Sequence, residues 1–212
     1  MPHPLPGDLP YWRQYFKDRV IELRAIQGTP WGFACAGTLL EVLGKLARGS
    51  GKNELGKAGY IKFIREWLPE YEQFEYQQKT ISTTKWNRKH TVKRIERLPK
   101  SLAVQMYAIL RCGLVHSFSF VANKQQRQTG GRDRSIWLTT RAEAAANGWN
   151  HLGNFSRTAP EPAIQDAAVF VAEDFLDDLD ELIDAIFDKA NTSSRQRARI
   201  VRHLTEQRPI GL

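Results

Sequence analysis

Arg111 and His116 are the two residues of this 212-residue chain whose types and spacing best suit joint chemistry. They stand five apart in the run Arg111-Cys112-Gly113-Leu114-Val115-His116, within an otherwise apolar stretch covering residues 102–120. Arginine keeps its charge at any physiological pH, whereas histidine changes charge near neutrality. The pairing suits a site that grips a phosphate and moves a proton beside it. It equally describes two ordinary residues at a helix edge. In that case Arg111 is an ion-pair partner for the acidic face of residues 177–188, and His116 bonds a neighbouring carbonyl.

The stretch around the pair reads as a helix. At about 100° per residue, Met106, Gly113, Leu114 and Ser117 fall within roughly 60° of Leu110, on the face expected toward the core. Arg111 falls about 100° to one side of Leu110 and His116 about 120° to the other. Between them, on the opposite face, stand Val104, Ala108, Cys112, Val115 and Ser119. A surface helix is polar there, so this one is expected to be covered on both sides. The second cover is either another helix of the same chain or a second copy. Small residues allow close backbone approach, so Ala108, Cys112 and Val115 are the expected homodimer interface. In a two-fold pair, Arg111 and His116 of both chains would fringe one shared cleft.

Arg111 and His116, with four residues between them, match the R-x4–6-H signature of HEPN domains. A leading helix pair, the motif on a late helix and a closing amphipathic helix extend the resemblance over residues 10–190. The resemblance implies an all-α, usually dimeric fold. It also implies a metal-independent endoribonuclease of toxin–antitoxin, abortive-infection or CRISPR-associated systems, or a relative that only binds RNA or a protein partner. It makes Arg111 and His116 the catalytic pair. The residue after the motif arginine is commonly Asn, Asp or His in that family. Here it is Cys112, a departure that bears on catalysis rather than on the fold.

The chemistry follows from the residues. An RNA 2′-hydroxyl attacks the adjacent phosphate when a base, an acid and positive charge stand nearby. His116 takes or gives the proton, and Arg111 holds the phosphate oxygens. DNA lacks the 2′-hydroxyl and is not cut this way.

Composition bounds the alternatives. The chain has 31 Lys/Arg against 23 Asp/Glu, a formal net charge of +8. Such a balance favours acidic partners, nucleic acid first. The excess is concentrated in residues 85–100, where Lys85, Arg88, Lys89, Lys93, Arg94, Arg97 and Lys100 face a single Glu96. This run is either a solvated face or, with Trp86 and His90 interleaved, an RNA-backbone contact made by Lys85, Arg88, Lys89, Lys93 and Arg94. Two cysteines give neither a disulfide framework nor zinc spacing. The five histidines are scattered, so no metal and no cofactor is expected. Gly49-Ser50-Gly51-Lys52 lacks the full phosphate-loop spacing. Residues 1–6 carry no signal-peptide pattern, and no apolar run reaches membrane length. The expected setting is cytoplasmic.

The elements that must position the pair read as an all-α, up-and-down helical bundle with one long loop or small hairpin insertion. Residues 1–9 are expected as an irregular tail and 10–190 as the helical domain. The insertion covers about 122–160, and 191–212 form a basic tail. Asp8 caps a first helix through Trp12, Phe16 and Val20. Thr29-Pro30 starts a second that ends at Gly49, and a third runs from about 55 to 68. The motif helix spans about 100–120. Residues 135–140 are the candidate for one short strand, and His151 is expected at the surface or in a lid. The last strong helix covers 167–190, with Val171, Phe175, Leu179, Leu182 and Ile186 on one face. The other face carries eight acids, read as a solvent face or as a dock for a basic segment.

Overall fold

A computed structural model describes residues 5–49, 55–72, 75–86, 90–107, 110, 136–155 and 167–206. The described residues are mostly helical, in the all-α class expected. The helices are α1 (Leu9–Arg24), α2 (Pro30–Arg48), α3 (Lys57–Trp67), α4 (Pro69–Glu72), α5 (Leu102–Met106), α6 (Arg141–Asn147), α7 (Ala172–Thr192) and α8 (Ser194–Glu206). Two small sheets accompany them. Strands β1 (Glu75–Trp86) and β2 (His90–Ser101) form an antiparallel hairpin. Strands β3 (Ile136–Thr139), β4 (Asn154–Phe155) and β5 (Ala167–Val171) form a sheet in the order β3-β5-β4.

The first two helices begin and end as their sequences dictate. Asp8 Oδ1 accepts from Tyr11 N–H over 3.2 Å, and Thr29 Oγ1 accepts from Gly32 N–H over 3.0 Å, with Pro30 in the first turn. Each cap satisfies an N–H that the helix itself leaves unpaired. Gly49 closes α2 at φ +60°, a left-handed position that favours glycine. A Cβ there would also stand 2.6 Å from Arg199 Cγ on α8.

One core joins the helices. Trp12, Phe16 and Val20 of α1 meet Leu40, Leu43 and Leu46 of α2, and Tyr60, Phe63 and Ile64 of α3. Leu102, Ala103 and Met106 of α5 and Phe175, Leu179, Leu182, Ile183 and Ile186 of α7 complete it. Met106 and Leu110 are fully buried, as the helical-wheel reading requires.

Four expectations need correction. Residues 75–101, read in the sequence as part of the helical domain with no element of their own, form twelve paired rungs of hairpin, from Glu75↔Ser101 to Trp86↔His90. Polar residues occupy both faces of this hairpin, so the two-residue period leaves no hydrophobic trace. The β-branched Thr80, Ile81, Thr83, Thr84, Val92 and Ile95 are the remaining strand signal. The motif stretch accordingly turns helical at Leu102, after β2 ends at Ser101.

The expected insertion at 122–160 contains α6, capped by Thr140, whose Oγ1 accepts from Glu143 N–H. Thr140-Arg141-Ala142-Glu143 is a capping-box sequence, and Asn147-Gly148 a stop signal, so this helix has a local signature. Residues 167–171 are strand rather than the first turn of the last helix. Ala168, Val169 and Phe170 are fully buried, and β5 is flanked by β3 and β4 on its two edges. A short apolar run cannot be told from buried helix by periodicity alone. Finally, most of the expected basic tail is α8. Its Ile200 and Leu204 enter the core, and Gln196 Nε2 donates to the Ala47 carbonyl at 2.9 Å.

Candidate nucleic-acid interface

The acidic face of α7 is not a plain solvent face: it docks cations from α1 and α6. Arg13 Nε donates to Asp184 Oδ1 at 2.7 Å, and Arg13 Nη1 donates to Asp188 at 2.8 Å. Lys17 bridges Asp180 at 3.0 Å and Asp184 at 2.9 Å, and Arg24 reaches Asp177 at 2.6 Å. The order of partners runs down α7 as it runs up α1, so the two helices are antiparallel. Arg141, at the start of α6, binds Asp174 and Asp177 and donates its backbone N–H to Glu173 at 2.8 Å.

Hydrogen bonding to Asp184 is the main cause raising the pKa of both Arg13 and Lys17. Burial works against charge on Asp177 and Asp184. Their hydrogen bonds to Arg24 and Arg141, and to Lys17 and Arg13, outweigh it and hold both carboxyls below the usual range.

Because α7 neutralises these cations of α1, the surplus of positive charge must be sought elsewhere. Residues 75–101 hold eight Lys/Arg against Glu75 and Glu96, a net of +6 within a chain of net +8. Of the predicted contact residues, Lys85 and Arg94 lie on opposite strands at registers Lys85↔Thr91 and Ser82↔Arg94, and Lys93 pairs with Thr83. Arg88 and Lys89 lie outside the described residues.

A polar network joins α4, α7 and the loop after α6. Tyr71, just before β1 in the chain, is fully buried, and its hydroxyl donates to Asp178 Oδ2 on α7. His151 Nδ1 accepts from Val171 N–H at 3.0 Å, so the neutral ring carries its proton on Nε2. That nitrogen lies 3.1 Å from the Tyr71 oxygen and 3.2 Å from Asp178 Oδ2. Burial, then the charge of Asp178, pushes the Tyr71 phenol well above its ordinary pKa. Burial, with the nearby Asp178 and Glu181 charges, also raises Glu70. The rings of Tyr71, His151, Phe170 and Phe175 pack edge to face around the network.

His151 is thus a half-buried structural partner, not a surface lid. Leu152 beside it adopts φ +58°, unusual for a non-glycine. Its N–H bonds the Val169 carbonyl at 2.7 Å, while Gly153 O accepts from Val169 N–H at 2.9 Å, which holds it there.

At the exit of the hairpin, Leu110 is the described residue directly before Arg111. Gly37 admits it closely to α2: a Cβ at 37 would lie 3.2 Å from Leu110 Cβ and 3.4 Å from its carbonyl oxygen. Arg111, Cys112, Val115 and His116 lie outside the described residues, as does Ala108. Tyr71 and Asp178 carry no sequence signal, because 107 residues separate the two groups that meet.

Among the described residues, no group of three or more His, Cys, Asp or Glu is placed to hold a metal. Among them, too, no helix is long and apolar enough to cross a membrane. No protein-family model, curated protein or solved structure matches this chain.

Proposed function

We propose that this chain binds single-stranded RNA and cleaves it without a metal, as a HEPN-like endoribonuclease. The observation that carries this reading is the hairpin 75–101, a β-ribbon that concentrates +6 of the chain's +8 net charge. Polyanion binding draws chiefly on such clusters of Lys and Arg. The α1 cations Arg13, Lys17 and Arg24 are already engaged with α7 and contribute less.

In this reading His116 shuttles the proton between the 2′-hydroxyl and the leaving oxygen. Arg111 grips the phosphate and stabilises the charge that develops there. Leu110, which precedes Arg111 in the chain, is fully buried and packs closely on Gly37 of α2. A second copy, packed across Ala108, Cys112 and Val115, is the proposed partner, with an antitoxin-type protein as a further one. A cytoplasmic role in defence or stress belongs to the same proposal.

Cys112, in place of the polar residue common after the motif arginine, favours a second reading: a non-catalytic module that binds RNA or a protein. Cleavage of labelled single-stranded RNA in EDTA separates the two. Wild type is compared with Arg111→Ala and His116→Ala, each first checked for helical content and mass in solution. Loss of cleavage in both folded variants is the expected result. Binding without cleavage by wild type would leave the second reading standing. Neither binding nor cleavage would overturn both RNA readings and leave only a protein-binding module.

A further inference from the structure

The register of the hairpin sorts its residues into two sets, because partners across an antiparallel pair share a face and successive residues alternate. Lys79, Lys85, Lys93 and Arg97 fall on one face, with Glu75 as its acid. Tyr76, Trp86, His90, Arg94 and Lys100 fall on the other, with Glu96. Every aromatic or imidazole residue of the two strands is therefore on the second face. The first face is cationic and carries no aromatic or imidazole ring.

Within the ring face the pairing is specific. Trp86 is the direct partner of His90 at the last rung before the turn, and Tyr76 is the direct partner of Lys100 near the root. Arg94 pairs with Ser82 between them. Four rungs separate Trp86/His90 from Ser82/Arg94, about 13 Å at 3.3 Å per residue. One extended strand of nucleic acid can span that distance. An aromatic residue beside a histidine suits the stacking of any unpaired base, and an arginine nearby suits the backbone phosphate. A duplex can meet the cations of either face but has no free base for the rings.

The geometry points to a single-strand RNA site on the ring face of the hairpin, with the Trp86/His90 rung taking an unpaired base and Arg94 taking a backbone phosphate. This inference rests on the RNA-binding reading above and adds to it the face, the residues and the preference for unpaired RNA. Stacking supplies the preference. The cations of both faces supply most of the affinity.

The test uses the full chain carrying His116→Ala, so that the probe survives. Fluorescence anisotropy is measured with a labelled single-stranded RNA and a blunt RNA duplex, over a range of salt. Circular dichroism confirms that each variant keeps its helices. Trp86→Ala is expected to weaken single-strand binding by about 5- to 150-fold, the effect of one stacked base, and to leave duplex binding nearly unchanged. Trp86→Phe keeps a stacking ring and is expected to retain most of the affinity. Arg94→Gln is expected to flatten the plot of log single-strand affinity against log salt by about 0.7, the share of one phosphate. Lys79→Gln with Arg97→Gln, on the first face, is expected to weaken both probes and leave their ratio unchanged.

Single-strand binding unchanged in Trp86→Ala and Arg94→Gln would overturn the site and leave the RNA-binding reading intact, with its anchor elsewhere. Equal weakening of single strand and duplex in Trp86→Ala would overturn the stacking assignment. No RNA binding by the parent protein would overturn this inference and the broader reading together.

Discussion

Val171 donates its backbone N–H to Nδ1 of His151 over 3.0 Å, and this bond ties the last residue of β5 to the loop that follows α6. It sets the tautomer of the ring and turns Nε2–H toward Tyr71 and Asp178. Three elements distant in sequence thereby meet at one point. Replacing His151 by Ala leaves Val171 N–H and one Asp178 contact unmet in a half-buried site. We expect a loss of about 1–3 kcal/mol, read from the midpoint of urea unfolding. An unchanged midpoint would mean that water replaces the ring without loss.

The buried phenol sets an alkaline limit. The Tyr71 pKa is raised in the folded state, against an unfolded value of about 10. A raised pKa contributes stability that is fully present below the unfolded value and is lost as pH rises through the folded one. Lys17 and Arg13, also raised, act with the same sign. Stability should therefore fall above about pH 10, and Tyr71→Phe should make that fall shallower while lowering stability at neutral pH. Unfolding at stepped alkaline pH, followed by circular dichroism, checks both parts. An identical alkaline slope in Tyr71→Phe would remove the phenol from the account.

The α1–α7 ion pairs act at the other end of the scale. Asp177 and Asp184 have lowered pKa values, so their contribution is present above the unfolded value of about 3.9 and disappears as pH falls through the folded values. Acidification below about pH 4 should thus loosen α1 from α7. Arg13 and Asp184 keep about a third of their side-chain surface exposed, at 32% and 35%. A double-mutant cycle between them should accordingly yield only about 0.2–1 kcal/mol, shrinking as salt is added. A coupling of several kcal/mol would show that these pairs behave as a buried network.

Under the proposed function, Gly37 is expected to matter for activity more than for stability. Alanine there must push Leu110 by a few tenths of an ångström, yet it gains about 1 kcal/mol of helix propensity. The melting temperature of Gly37→Ala should change little. Under the proposed ribonuclease reading, RNA cleavage should drop, because the displaced residue directly precedes Arg111 in the chain. Full activity in a folded Gly37→Ala protein would show that the motif tolerates the shift.

The caps and faces of α1, α2 and α7 are legible because each is decided within a few residues. Asp8, Thr29-Pro30 and Gly49 mark the ends, and a spacing of three and four marks the buried faces. The sequence alone thus determined a mostly helical, basic protein. The hairpin is hidden because a ribbon with polar residues on both faces has no hydrophobic alternation. Strand β5 is hidden because a five-residue apolar run fits either state until β3 and β4 pair with it.

Tertiary structure alone decided which charges are neutralised within the fold. Arg13, Lys17, Arg24 and Arg141 look no different in sequence from the cations of the hairpin. Packing of α1 and α6 onto α7 commits their charge to Asp174, Asp177, Asp180, Asp184 and Asp188. It also brings Tyr71 to Asp178 across 107 residues. Such meetings depend on how faces stack in space, and no local pattern encodes them.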